Sequence, residues 1–256
     1  MSLTLWNCWH GCHKKSEGCR FCYVYRRDEH HDIDSNVIRK TASFRLPIQR
    51  DRYKQYKIPS GTTVFTCFSS DFFIEEADVW REDAWQMIRL RPDLTFYIVT
   101  KRPERIEQCL PDDWGEGWEN VIICCTMENQ KRTDERMPVF KALPLKHKHL
   151  ICEPLLTDID LGDWLRGGWL EQVTVGGESG AEARECRFEW VMHIRQQCID
   201  YQVAFMFKQT GRRFVKNGRT YILDHRTAMQ QAGKANINYL TFGYVNPKDA
   251  QPDAPN

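Results

Sequence analysis

Three cysteines near the amino terminus are the residues whose types and spacing point most directly to chemistry. Cys12, Cys19 and Cys22 lie in the stretch GCHKKSEGCRFCY, and no obvious fourth cysteine follows them. Iron–sulfur clusters require thiolate ligands, and three thiolates leave one iron of a four-iron cluster without a protein ligand. An open iron can bind a small molecule, so the spacing predicts a catalytic cluster instead of an electron-carrying one.

Cys8 leaves a second interpretation open, because it precedes Cys12 by four residues. Four thiols in the pattern C-x3-C-x6-C-x2-C could surround a structural zinc ion, with His10 and His13 as further possible ligands. Zinc knuckles usually pair two tight CxxC turns, whereas this segment contains one. We therefore expect Cys8 to be a neighbour of the cluster. The cysteines beyond this segment mostly fall in apolar runs and are expected to be core residues.

The composition limits the class of protein. The chain has 256 residues, of which 41% are hydrophobic and 12% aromatic, enough for one large domain with a sizeable core. Lysine and arginine number 36 against 35 acidic residues, so the net charge of +1 gives no global attraction to nucleic acid or membrane. No apolar run approaches the roughly 20 residues that span a bilayer. The odd count of 11 cysteines and the absence of a signal peptide predict a soluble, cytoplasmic protein.

Short apolar runs alternate with segments of helical period, which is typical of βα units around a parallel sheet. The apolar runs lie at residues 3–6, 64–68, 96–99, 121–125, 149–152, 172–175 and 204–207. Helices are predicted at residues 78–90, 132–143 and 189–201. This pattern predicts an α/β fold, a partial (open) β/α barrel of six to seven parallel strands, and favours it over a flat doubly wound sheet.

The other segments are assigned to the same single domain, residues 1–246. Residues 1–25 are expected to form the cluster-binding loop, residues 26–60 a basic helix and loop over the surface, and residues 211–246 a C-terminal extension. Within the extension, Asn217-Gly218 predicts a type I′ turn that closes a hairpin over residues 213–223. The tail at residues 247–256, rich in Pro, Asp and Ala, is predicted to be disordered.

Polar side chains directly follow the apolar runs. The carboxyl ends of parallel strands meet at one face of a barrel, so these groups predict a site there. Helix capping would explain serine, threonine and aspartate equally well, but lysine and glutamate are weak caps and costly to bury without partners. The groups that follow the strands are Ser69, Ser70, Asp71, Thr100, Lys101, Arg102, Thr126, Glu128, Asn129, Glu153, Glu178, Ser179, Lys208 and Gln209.

Seven segments, in order, resemble a phage-associated three-cysteine family related to radical S-adenosylmethionine enzymes. The segments are WNCWHGC…EGCRFCY, Ser70-Asp71, TKRPER, MENQ, CEPLL, VGGESG and FKQTG, and they span residues 6–211. The resemblance implies a 4Fe-4S cluster on the three cysteines, with S-adenosylmethionine bound at the open iron. Reductive cleavage would then give a 5′-deoxyadenosyl radical that abstracts hydrogen from a substrate. The first cysteine interval is six residues instead of the usual three, a departure that this family shares, and Gly11 and Gly18 would let the longer loop fold back.

The resemblance also implies roles for individual residues. Phe21 would pack near adenine, Asp71 would accept the methionine ammonium, and Glu178 would lie nearer the substrate or adenine. Thr126 and Glu128 would meet the ribose or ammonium, and Arg132 or Arg136 the carboxylate. The full cofactor-binding set is Phe21, Ser69, Asp71, Thr126, Glu128, Arg132, Arg136 and Glu178. The candidates for substrate binding or proton transfer are Lys101, Glu153, Lys208 and Gln209.

The partners expected from this resemblance are a reductant such as flavodoxin or ferredoxin and, by association with phage, a nucleobase or DNA as substrate. The location would be the host cytoplasm if the chain is phage-encoded. Basic stretches at residues 39–57 and 212–219 support a nucleic-acid partner. The aromatic residues among them that could stack bases are Phe44, Tyr53, Tyr56, Phe214 and Tyr221. The alternative hypothesis is a zinc-stabilised nucleic-acid-binding protein without catalysis.

Overall fold

The computed structural model describes residues 2–241. The strands are β1 (Leu3–Trp6), β2 (Trp9–His10), β3 (Arg39–Lys40), β4 (Thr63–Thr66), β5 (Thr95–Thr100), β6 (Val121–Thr126), β7 (His147–Cys152), β8 (Gln172–Gly176), β9 (Glu185–Arg187), β10 (Ala204–Gln209), β11 (Arg213–Lys216) and β12 (Arg219–Ile222). The helices are α1 (Tyr23–Glu29), α2 (Asp78–Arg89), α3 (Pro103–Ile106), α4 (Gln130–Ala142), α5 (Phe188–Asp200) and α6 (His225–Ala235).

Within residues 2–241, seven parallel strands form one curled sheet in the order β1-β4-β5-β6-β7-β8-β10. In the described chain β1 and β10 are the edges and do not pair with each other, so the sheet is a half-barrel. The predicted open β/α architecture is confirmed at this level. The predicted strand at 64–68 is too long, because the left-handed conformation of Cys67, with φ of 62°, turns the chain immediately after Thr66.

The two faces of the sheet bury different sets of residues, because side chains alternate along each strand. On the outer face, Val64, Phe96 and Leu150 belong to the main core, which also includes helix residues. On the inner face, Tyr97, Cys124 and Ile151 form a separate apolar cluster. The predicted helices are confirmed to within two residues at either end as α2, α4 and α5. The inner face is therefore free to line a cavity.

The segments outside the main sheet depart further from the predictions. The hairpin is confirmed, with Asn217 at φ 52° and Gly218 at φ 72°, but β11 also pairs in parallel with β9 to give a second sheet. Helix α6 was not predicted, although Ala228 and Ala232 on it are buried. In the basic stretch after α1, Phe44 is also buried. The predicted disorder of residues 247–256 falls outside the described residues.

Among residues 2–241, every helix is too short or too polar to cross a lipid bilayer.

Gly177, just after β8, marks a close approach between two backbone segments. A Cβ at this position would lie 2.3 Å from the Thr210 carbonyl oxygen and 2.7 Å from Gly211 Cα. We expect Gly177→Ala to lower the free energy of unfolding by about 1–3 kcal/mol, because backbone atoms must move to admit the methyl group. The matched control is Gly233→Ala in α6, where a Cβ meets no heavy atom within 4 Å.

The control should raise the free energy of unfolding by about 0.5–1 kcal/mol, since alanine favours a helix interior over glycine. Urea denaturation of both variants measures these changes. A Gly177→Ala protein as stable as the wild type would contradict the close approach.

Candidate functional site

A cavity of about 710 Å³ opens at the carboxyl ends of the parallel strands. The loops above the sheet supply its polar lining, and the inner face of the sheet supplies apolar side chains, among them Phe65, Tyr97 and Met206. The predicted site residues that line it are Cys12, Cys19, Phe21, Cys22, Ser70, Asp71, Thr100, Lys101, Arg102, Thr126, Glu153, Glu178, Ser179, Lys208 and Gln209. The convergence of strand-end residues on one cavity is as the parallel pattern predicts.

The thiols of Cys12, Cys19 and Cys22 face this cavity and are partly exposed, whereas the other cysteines are buried. Burial, with a contribution from Asp71, raises the pKa of Cys12 to about 12, and burial also raises the pKa of Cys22. Both thiols are therefore protonated near neutral pH, and because a metal binds the thiolate, metal binding here would release protons. Three thiols line one cavity, and thiolates are the ligand type that an iron–sulfur cluster requires.

The cysteine loop is folded back by its glycines. Gly11 has a φ of 93°, and a Cβ there would lie 2.5 Å from the Val37 carbonyl oxygen, so only glycine fits. The amide of Cys12 donates to the Ser35 carbonyl at 2.7 Å. Gly18 has an ordinary φ, but a Cβ there would lie 3.1 Å from the Glu128 carboxyl group. The longer first interval is thus accommodated at both predicted glycines, for different reasons.

Glu128 anchors this loop from below. Its carboxylate is fully buried, accepts a hydrogen bond from the Ser16 hydroxyl and pairs with Arg136 Nη1 at 2.6 Å. Burial alone would raise the pKa of Glu128, but the charges of Lys101 and Arg136 outweigh burial and lower it. Among the described residues that line the cavity, neither Glu128 nor Arg136 is present. Their contacts hold the loop against α4, and a cosubstrate would have to compete with this ion pair for either charge.

Arg132 makes a second, more exposed anchor. It donates to both carboxylate oxygens of Glu17, at 2.8 and 2.9 Å, and these bonds lower the pKa of Glu17 to about 2. Of the residues described, those lining the cavity do not include Arg132. In the described structure its guanidinium contacts the cysteine loop, and its role at the cosubstrate carboxylate stays a prediction.

Asp71 lies in the cavity wall with its carboxylate occupied. It accepts hydrogen bonds from Thr100 Oγ1 at 2.7 Å, from the Lys101 amide at 3.0 Å and from Arg102 Nη1 at 2.9 Å. The same Arg102 nitrogen lies 3.9 Å from Cys12 Sγ. Asp71 thus orients a guanidinium towards the first cysteine, and the predicted ammonium contact would have to displace one of these bonds.

Ser69 does not line the cavity in the described chain, because its hydroxyl donates to the Trp9 carbonyl at 2.8 Å. Ser70, its neighbour, lines the cavity and donates to the Gly11 carbonyl. Both hydroxyls therefore tie the loop after β4 to the segment that leads into the cysteines.

Two further carboxylates of the cavity are paired. Glu153 bonds Lys208 Nζ at 2.7 Å and accepts from the Gln209 amide. Glu178 accepts from the Arg184 guanidinium at 2.6 Å and from its amide at 2.9 Å. Pairing neutralises the charge that each glutamate brings to the site.

Among the described residues that line the cavity, several polar groups have no partner and could bind a ligand. The Lys101 ammonium has neither a hydrogen bond nor an ion pair within residues 2–241. The buried hydroxyl of Thr126 and the buried side-chain oxygen of Gln209 likewise have no partner in the described chain. Buried polar atoms usually have a partner, so the oxygens of Thr126 and Gln209 are candidates for hydrogen bonds with a ligand or an ordered water molecule.

A family model described as protein of unknown function (DUF5131) matches residues 2–240. The chain belongs to the DUF5131 family. The match spans the cysteine loop and every strand of the half-barrel. Comparison of this DUF5131 protein with curated proteins and with solved structures gives no match.

The possible zinc ligands are engaged elsewhere. Cys8 is buried and hydrogen-bonded with Cys67, His10 Nε2 lies 2.8 Å from Asp28, and His13 Nε2 lies 2.5 Å from an oxygen of Glu76. Across residues 2–241, no three His, Cys, Asp or Glu side chains lie close enough together to hold a single metal ion, and this includes Cys12, Cys19 and Cys22.

Sequence reasoning missed the residues that support the site from neighbouring loops. Ser16, Glu17 and Arg184 contact the predicted residues, and Arg184 also lies 5.3 Å from the Phe21 ring. The charge opposite to Glu178 six residues along the same loop was a usable signal for Arg184. No local pattern links Ser16 to Glu128.

The aromatic residues proposed for base stacking divide into two groups. Phe44 and Phe214 are buried, and Tyr56 is covered by Arg50 and Arg91. Tyr53 and Tyr221 are exposed, by 66% and 44%. Only the latter pair is placed to meet a nucleic acid.

Proposed function

We propose that this DUF5131 protein is a radical S-adenosylmethionine enzyme whose cluster is held by Cys12, Cys19 and Cys22. The observation that carries the proposal is the convergence of three thiols on one cavity at the carboxyl ends of a parallel half-barrel. The motif resemblance supports the same assignment. Three thiolates on a 4Fe-4S cluster leave one iron for a small ligand.

A cluster held by Cys12, Cys19 and Cys22 would supply the one-electron chemistry for reductive cleavage of S-adenosylmethionine. The protein's own residues would bind the cosubstrate and substrate and keep water from the reacting atoms. Lys101, the unpaired ammonium of the cavity, is the group we assign to the carboxylate of the cosubstrate. The unpaired oxygens of Thr126 and Gln209 would bond its ribose or the substrate. Phe65, Tyr97 and Met206 give apolar surface that keeps water from the reacting atoms.

The substrate that we propose is a nucleobase, free or in DNA. A cavity of about 710 Å³ is within the usual range of about 300–1,000 Å³ for small-molecule sites. The exposed rings of Tyr53 and Tyr221 support a nucleic-acid partner outside the cavity. An external reductant such as flavodoxin or ferredoxin would supply the electron.

The test is anaerobic reconstitution of the full chain with iron and sulfide. We expect iron and acid-labile sulfide in a ratio near one, a brown charge-transfer absorbance, and 5′-deoxyadenosine when dithionite and S-adenosylmethionine are added. Tightly bound zinc without sulfide, together with no 5′-deoxyadenosine, would overturn the proposal in favour of a zinc-stabilised binding protein. Mass spectrometry of DNA from cells with and without the protein tests the substrate.

A further inference from the structure

A row of hydrogen-bonded polar side chains leads from the cavity to the protein surface through the base of the half-barrel. Tyr97 lines the cavity, and its hydroxyl lies 3.3 Å from His149 Nδ1. His149 Nε2 lies 3.2 Å from Glu171 Oε2, and Glu171 Oε1 lies 2.7 Å from His147 Nδ1. His147 Nε2 then lies 3.4 Å from Glu119 Oε2 at the surface. Each member of the row can take up or release a proton.

Strand register explains why these residues meet. Cys124 of β6 lies opposite His149 of β7, and Ile122 lies opposite both Tyr97 of β5 and His147 of β7. The amide of Glu171 bonds the Lys148 carbonyl and its carbonyl accepts from Ala204, which fixes it beside the start of β8. Tyr97 and His149 therefore share the inner face, where an imidazole is costly to bury unless it is hydrogen-bonded at both nitrogens.

The surroundings set the protonation of the row. Burial lowers the pKa of His149 despite the opposing effects of Glu171, so this imidazole is neutral near pH 7. Burial alone would raise the pKa of Glu171, but hydrogen bonds from His147 and His149 outweigh burial and lower it to about 2. The Glu171 hydrogen bond raises the pKa of His147. A further titratable group against Tyr97 is the buried thiol of Cys124, which is hydrogen-bonded with Tyr97 and whose pKa is raised by burial.

This arrangement fixes the direction of the hydrogen bonds. Ionised Glu171 accepts from His149 Nε2–H, which leaves Nδ1 to accept from the Tyr97 hydroxyl. Carboxylate, imidazole and hydroxyl are then ordered as in a hydrolase triad, where the imidazole takes the hydroxyl proton and the carboxylate stabilises the imidazolium. Here the hydroxyl is a phenol, which faces a cavity.

We propose that Tyr97, which is hydrogen-bonded to His149 and through it to Glu171, is a proton-transfer residue for the ligand that occupies the floor of the cavity. The Tyr97 O–H bond breaks as its proton moves to His149 Nδ1, and the phenolate takes a proton from an N–H or O–H group of the ligand. The ligand becomes an anion hydrogen-bonded to the restored phenol, and His149 passes its Nε2 proton along Glu171 and His147 to solvent. No electron is transferred.

The ligand class follows from the base. A phenol of pKa about 10 exchanges protons with weakly acidic N–H or O–H groups, such as the ring imide of a nucleobase or a phenol. This inference deepens the proposed function and rests on it only for the statement that this ligand is the substrate.

The first test needs neither iron nor cosubstrate, so it is independent of whether the protein cleaves S-adenosylmethionine. The full chain, which has 9 tyrosines, is labelled with 3-fluorotyrosine, and Tyr97→Phe assigns the Tyr97 fluorine signal. In the wild type this signal should shift as His149 is protonated, below the ordinary histidine value of about 6.5, because the phenol then loses its acceptor. A purely structural packing role would give no such step.

Each variant should move the pH of this step in a direction that the row of hydrogen bonds predicts. The step should vanish in His149→Phe and move to lower pH in Glu171→Gln, because the carboxylate no longer favours the imidazolium. It should move to higher pH in His147→Gln, because a neighbouring positive charge is removed. Far-UV circular dichroism confirms that each variant is folded, and Glu171→Gln at the protein surface stands in for His149→Phe if the latter is not. A step that persists unchanged in these variants, or is missing from the wild type, overturns the triad.

The second test addresses the ligand class with 4-nitrophenol, a planar acid whose anion is yellow. At a pH below the probe's own pKa, binding to the wild type should produce the anion, whereas Tyr97→Phe should bind the neutral form or fail to bind. A probe that stays neutral on the wild type, fails to bind to it, or ionises equally on the variant overturns the assignment of Tyr97 as the base for acidic N–H or O–H ligands.

Discussion

Replacing Cys19 by Ala should abolish both cluster assembly and 5′-deoxyadenosine formation. The variant retains two thiols on the cavity wall, and an exposed pair of thiolates does not hold a four-iron cluster firmly. We expect iron and sulfide to fall to background after reconstitution and turnover to fall at least 100-fold. Cys19 is partly exposed, so its loss should change the free energy of unfolding of the metal-free chain by less than about 1 kcal/mol.

Cys8→Ala is the matched control, because Cys8 belongs to the same segment but is buried against Cys67. This variant should bind as much iron as the wild type and should form 5′-deoxyadenosine at a similar rate. The free energy of unfolding of this variant should fall by about 1–2 kcal/mol, because a small buried side chain is truncated. Equal loss of metal in Cys8→Ala and Cys19→Ala would instead indicate a site of four thiolates and would favour the zinc hypothesis.

The strands were predictable because each is encoded locally. Runs such as 121–125 are apolar throughout and begin with β-branched residues, as expected for strands buried on both faces, and the structure places the ends of all seven strands within two residues of the predicted ends. Helix α6 was not predictable in this way, because its buried residues are the small alanines Ala228 and Ala232 and it shows no large apolar stripe. Strand β9 was missed because its three residues are held by pairing with β11, a contact that no local pattern records.

The position of the site was predictable from the sequence, but the hydrogen-bond and ion-pair partners of its residues were not. Parallel topology brings Asp71, Lys101 and Glu153 to one cavity whatever their partners are. Which charges are free depends on side-chain pairs that the sequence pattern does not specify: Arg136 neutralises Glu128, eight residues away, and Arg102 neutralises Asp71, 31 residues away. The row of hydrogen-bonded side chains from Tyr97 to Glu171 was even less predictable. Tyr97, His149 and Glu171 come from separate elements, and each alone is an ordinary strand or loop residue.

Replacing Arg136 by Ala should lower the free energy of unfolding by about 3–5 kcal/mol, because it leaves the fully buried Glu128 carboxylate without its main partner. The cysteine loop should loosen as well, since Ser16 and Gly18 rest on that carboxylate. We expect lower iron content after reconstitution in addition to lower stability. Urea denaturation and iron analysis of the same preparation measure the two effects.

The matched control is Arg132→Ala. Arg132 lies on the same helix as Arg136, and its replacement removes the more exposed ion pair with Glu17 of the cysteine loop. Exposed pairs contribute about 0–1 kcal/mol, so this variant should be close to the wild type in stability. Equal destabilisation by the two replacements would contradict a special role for the buried pair.

The pH dependence separates a lost charge pair from a simple packing defect. In the wild type the pKa of Glu128 is lowered from its ordinary value of 4.5, so the pair stabilises the fold above that pH and the contribution is lost as pH falls. In Arg136→Ala, Glu128 keeps the charge of Lys101 but loses that of Arg136, so its pKa should be higher than in the wild type and the destabilisation should be smaller at low pH than at high pH. A destabilisation that is the same at pH values below and above 4.5 would indicate lost packing of the arginine side chain and would remove Glu128 from its role as the charged anchor of the cysteine loop.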